Sequence, residues 1–118
     1  MIDARCDVLL REMRDATRDA LKFAGNASGE DFLADDLLQN AVAMTLVRVG
    51  EAATKISHDY PAFIDNHPET RWASMRGLRN AIAHAYHDVD FVILWRIVAD
   101  HLPALLTQLD AILDAPGR

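Results

Sequence analysis

Apolar or small residues recur at Ile2, Cys6, Leu9, Met13, Ala16, Ala20 and Phe23, alternating steps of four and three. That spacing predicts a first helix over residues 2–24 with one seam turned toward another long helix. Arg5, Asp7, Arg11, Glu12, Arg14, Asp15, Arg18 and Asp19 lie between the seam positions and read as a solvated face, with Asp7 and Arg11 set as a favourable i,i+4 pair. Gly25-Asn26-Ala27-Ser28-Gly29 ends the pattern. Ser28 followed by Asp31 resembles a capping pair and opens a second helix expected over residues 31–57. Leu33, Leu37, Leu38, Ala41, Val42, Met44, Leu46, Val47, Val49, Ala53 and Ile56 make more than one apolar stripe on it. Such a helix needs covering on several sides, by its neighbours and by a second subunit. Gly50 costs about 1 kcal/mol relative to Ala inside a helix, so its presence predicts close approach of another backbone.

Residues 58–70 read as a connection, broken by Pro61 and Pro68 and pinned to the core by Tyr60, Phe63 and Ile64. Thr70 is placed to cap a third helix over residues 71–85, with Trp72, Met75, Leu78 and Ile82 as its buried stripe and Gly77 as a contact point where a side chain would not fit. Asp88 and Asp90 open a fourth helix reaching residue 113, which Pro103 should bend or divide. No strand-like alternation and no internal repeat is visible. The expectation is all-α: an up-down bundle of four to five helices forming one domain over residues 1–118.

Composition narrows the class. The chain is 51% apolar and 25% charged, as in ordinary globular proteins. A lone cysteine, Cys6, permits no intramolecular disulfide and suits a reducing cytosol. The uncharged run 37–47 is too short to span a bilayer, and Met1-Ile2-Asp3 lacks a secretory pattern, so a cytoplasmic protein without a membrane role is expected. A net charge of −6 argues against nonspecific nucleic-acid binding. Residues 71–87, however, hold Arg71, Arg76 and Arg79 and no acid, a local +3 that suits a phosphate-bearing ligand. Three arginines solvating an exposed face would give the same count.

That basic segment contains Arg79-Asn80-Ala81-Ile82-Ala83-His84-Ala85-Tyr86, four polar groups in an Ala/Ile run. On a straight helix positions 80 and 84 share a face, whereas positions 79 and 84 diverge by roughly 140°. Arg79 and His84 can therefore meet only where the helix frays near residue 85 or where a second copy supplies the complementary group. His84 can exchange a proton near neutral pH, and Arg79 carries a permanent planar cation matched to phosphate oxygens. Together they fit RNA cleavage by transesterification, in which the internal 2′-hydroxyl is the nucleophile and no metal or other cofactor is required. Arg71 and Arg76 would hold further backbone phosphates, and Asn80 would steady the imidazole or a phosphate oxygen. Glu51, beside Gly50, is placed either to order Arg79 or His84 or to stand exposed without a role. His84, His87 and Asp88 offer too few ligands for a zinc site.

The run R-N-x-x-x-H-x-Y, preceded by Trp72 and Met75-Arg76-Gly77-Leu78, resembles the signature of the HEPN superfamily and, more narrowly, of HepT-like toxins from prokaryotic toxin–antitoxin pairs. Gly50-Glu51-Ala52-Ala53 upstream and Trp95-Arg96-Ile97-Val98 downstream extend the likeness across most of the chain. The resemblance implies a HEPN-like homodimer with metal-independent endoribonuclease activity, Arg79 and His84 being essential. It also implies a cognate MntA-like nucleotidyltransferase antitoxin that transfers AMP from ATP to Tyr86, blocking the cleft by bulk and negative charge. The alternative is a noncatalytic nucleotide-binding or adaptor subunit that partners a nucleotidyltransferase.

Overall fold

A computed structural model of the chain describes residues 2–84 and 89–115. The expectations for Tyr86, His87 and Asp88 fall outside the described residues. Among those described, every regular element is helical.

Asp3 starts the first helix by accepting the backbone N–H groups of Arg5 and Cys6 at 2.9 and 3.2 Å, and α1 then runs over Ala4–Ala24. Gly25, at φ 52°, ends it. Cys6, Leu9, Met13, Ala16 and Ala20 are buried as their spacing predicts, while Phe23 is 45% exposed. A 4-3 repeat drifts by about 20° per heptad on a straight helix, so the far end of the seam has turned outward. Arg14 departs from its expected solvated face. It is buried, and its guanidinium reaches Asp110 at 3.3 Å and Asp114 at 3.1 Å near the end of the last helix. The Asp7–Arg11 pair forms at 2.8 Å.

Residues 31–57 are not one helix. Ser28 and Asp31 form a full capping box, but α2 covers only Gly29–Leu33. The Asp35 carboxylate accepts from Leu38 N at 3.0 Å and begins α3 at Asp36–Asp59. The Gln39 amide donates to the Phe32 and Leu33 carbonyls, tying the first turn of α3 to the end of α2. Phe32 is fully buried against Phe91 and Trp95.

The connection contains a short α4, Pro61–Asp65, and Tyr60, Phe63 and Ile64 pack on the core as expected. The following helix, α5, is Trp72–His84. Thr70 does not lie at its boundary as a simple cap; its hydroxyl donates to Gln108 Oε1 at 3.2 Å. Trp72, Met75 and Ile82 are buried. Asp90 caps α6, Phe91–Arg96, through the N–H groups of Val92 and Ile93. A π-helical turn, Ile97–His101, leads into α7, Leu102–Leu113. Pro103 lacks an N–H and its ring crowds the carbonyl four residues back, so the widened turn just upstream relieves the conflict. The Phe91–Leu113 run is long and apolar enough to cross a membrane by length and composition; here Leu94, Val98, Leu102, Leu105 and Leu109 belong to the bundle core.

α1 packs on α7 and α3, and α5 rests on α3, so α3 is central; α5 is an edge helix separated from α7 by an open cleft. Along the outer side of α3, Leu37 and Met44 remain 80% and 62% exposed.

Candidate active site

The seat of Arg79 is set by Gly50. A Cβ built on Gly50 would lie 2.9 Å from both Arg79 N and Met75 O and 3.2 Å from Arg79 Cβ. Only glycine lets α5 approach α3 this closely, as expected from its occurrence inside a helix. Gly77 behaves differently: nothing lies within 4 Å of where its Cβ would be, so the expected contact there is absent and the outer face of α5 is open.

One residue after Gly50, Glu51 Oε1 accepts from Arg79 Nε at 3.1 Å, with both side chains 47% exposed. Of the two expectations for Glu51, the one in which it meets Arg79 describes the structure. A half-exposed pair of this kind contributes only about 0–1 kcal/mol to stability. Its geometric effect is larger, because fixing Nε leaves the outer edge of the guanidinium toward solvent.

Arg76 and Asn80 are exposed and form no ion pair or side-chain hydrogen bond with another described residue. α5 stays helical through His84, so positions 79 and 84 lie roughly 140° apart around its axis. Arg71 stands apart from the other two arginines. It lines a cleft of about 580 Å³ between α5 and α7, with Ser74, Met75 and Leu78 on one wall, His101 and Leu105 on the other and Val49 at the floor. Arg71 thus faces the cleft toward α7, whereas Arg79 is paired with Glu51 on α3. The cleft itself has no periodic signature in the sequence. The π-helical turn Ile97–His101 supplies Ile97, Asp100 and His101 to its lining, and Pro103 inside an apolar periodicity is the sequence feature that marks this part of the helix.

An all-helical bundle with this motif on an edge helix has the architecture of HEPN-like domains. The model of the family described as "Ribonuclease HepT-like" matches residues 13–112. The chain belongs to the HepT-like ribonuclease family. It is 34% identical over 96 residues to a Thermococcus cleftensis protein named as a probable ribonuclease HepT, covering 81% of this chain and 84% of that one. It is 27% identical over 103 residues to a Methanocaldococcus jannaschii protein named as a candidate RNase, covering 87% and 92%. A relative with a like name in Caldanaerobacter subterraneus is 30% identical over 86 residues, covering 73% and 74%. No solved structure matches the chain significantly.

Proposed function

We propose that this chain is the toxin of a toxin–antitoxin pair, a cytoplasmic, metal-independent endoribonuclease that works as a homodimer. The observation that carries the reading is Arg79: within the R-N-x-x-x-H-x-Y run of a HepT-like ribonuclease, its half-exposed guanidinium is tethered through Nε to Glu51 at the α3–α5 contact. In the proposed reaction a ribose 2′-oxygen gives up its proton and bonds to the adjacent phosphorus, while the bond from phosphorus to the 5′ oxygen breaks and that oxygen takes up a proton. His84 transfers protons, and Arg79 balances charge gathering on the phosphoryl oxygens. Because the nucleophile is part of the substrate, the step needs no metal-bound water. Asn80 steadies the imidazole or a phosphate, and Arg76 and Arg71 hold flanking phosphates on the two sides of α5.

Two features support the dimer. Positions 79 and 84 diverge on a regular helix, which favours a cleft completed by a second copy. Leu37, Met44 and Glu51 also follow one another at seven-residue steps along α3, so its exposed apolar ridge runs to the foot of Arg79. A copy seated on that ridge would bring two such sites together. The antitoxin is an MntA-like nucleotidyltransferase that inactivates the site by adding AMP to Tyr86.

The test is expression in growing cells. The wild type should arrest growth and Arg79→Ala should not. Co-expression of a nucleotidyltransferase encoded alongside should restore growth and add the mass of AMP at Tyr86. Labelled Tyr86 in a wild type that never arrests growth or cleaves RNA would instead establish the adaptor function.

A further inference from the structure

We infer that Glu51 is a positioning residue for the reaction, fixing the Arg79 guanidinium so that its outer edge meets the phosphate; this rests on the ribonuclease reading above. Three observations lead there. The contact joins one carboxylate oxygen to Nε at 3.1 Å, which restrains rotation of the guanidinium plane while leaving its terminal N–H groups available to a second oxyanion. Both partners are half exposed, so water screens the pair and its effect on folding is small. Finally, the backbone beneath the pair is held unusually closely: Gly50 brings α3 against the Arg79 main chain, and the Thr54 hydroxyl donates to the Gly50 carbonyl at 2.9 Å. The pair is thus built on a rigid base although it adds little stability. That combination suits a site in which orientation matters more than attraction.

Charge and orientation predict opposite consequences when Glu51 is removed. A carboxylate beside a phosphate repels it, so if Glu51 acted only as a charge, its loss would strengthen RNA binding and leave or raise turnover. If it orients Arg79, its loss frees the side chain to sample other rotamers, and turnover falls although the local charge has become more positive. Lys55, one turn along α3, makes no ion pair with Glu51 among the described residues, so Arg79 is its described charge partner.

The experiment measures kcat and KM for cleavage of a fluorescent RNA by the wild type, Glu51→Ala and Glu51→Gln, with melting temperatures alongside. Glutamine keeps an oxygen acceptor for Nε and loses the charge. Glu51→Ala should lower kcat about ten- to a hundred-fold with KM unchanged or lower, while its melting temperature falls by less than about 5 °C. Glu51→Gln should recover part of the lost kcat. An active wild type with unchanged or raised kcat in Glu51→Ala overturns the positioning role alone. Loss of activity that tracks unfolding, or a rise in KM at constant kcat, does the same. A wild type that cleaves no RNA overturns the ribonuclease reading and this inference with it.

Discussion

Gly50 and Gly77 look alike in the sequence, two glycines inside helical periodicity, yet they sit in opposite surroundings. At Gly50 an added methyl meets backbone atoms at 2.9 Å. Overpacking of that kind costs about 1–3 kcal/mol, against about 1 kcal/mol gained in helix propensity. Gly50→Ala should therefore lower the urea midpoint, whereas Gly77→Ala, with open space around it, should raise stability by up to about 1 kcal/mol. Equal shifts of the two midpoints would contradict this. The propensity cost of glycine was legible in both cases; which helix lies against it depends on tertiary packing that local sequence does not encode. Cys6 gives a pH-dependent counterpart. Burial, aided by Asp3 and Asp7, pushes its thiol up to about 11 from 9.0. The unfolded chain releases that proton first, so the contribution is fully present below about pH 9 and is lost as the pH rises through about 11. Tyr60, raised by its hydrogen bond to Asp3, acts in the same direction. Urea midpoints should fall between pH 8 and pH 10.5, with a shallower fall in Cys6→Ala; an identical slope in that variant would contradict the assignment.

At the scale of elements, helix type and buried stripes were readable because 3.6-residue periodicity survives in α1, α3 and α7. Interruptions were readable only where a residue forces them. Pro103 was expected to bend or divide its helix, and the π-helical turn Ile97–His101 is the form that this takes. The break between α2 and α3 has no signal in the sequence, because Ala34-Asp35 reads as helix-compatible and the carboxylate of Asp35 and amide of Gln39 act there through backbone contacts. Arg14 likewise reads as a solvated residue in the sequence, because the carboxylates that allow its burial come from a helix almost a hundred residues away. Pro103→Ala restores a donor at position 103 and removes the ring, so the helix should regain its regular ladder. Amide exchange across residues 97–103 should slow. Exchange as fast as in the wild type would show that the turn is held by packing against the bundle instead.

For the whole molecule, the proposed dimer surface takes in the exposed Leu37 and Met44 of α3 and, further along the same helix, Glu51 beneath Arg79. Leu37→Glu and Met44→Glu place charges where a second copy is proposed to sit, so each should move the sedimentation coefficient toward that of a monomer and reduce cleavage in parallel. A wild type that sediments as a monomer at every concentration would remove the dimer. The order of the motif along the chain was legible at this scale, and so was the excess of apolar surface on α3. The separation of Arg71, in the cleft toward α7, from Arg79, paired on α3, was not, because it depends on how α5 packs in the bundle. The central claim is that Arg79 and His84 act together on one phosphodiester without a metal. It is tested most directly by incubating RNA with purified wild type, Arg79→Ala and His84→Ala in excess EDTA and analysing the new ends. The account predicts 2′,3′-cyclic phosphate termini from the wild type and a loss of at least about a hundred-fold in each variant; cleavage that survives His84→Ala, or that stops in EDTA, would contradict it.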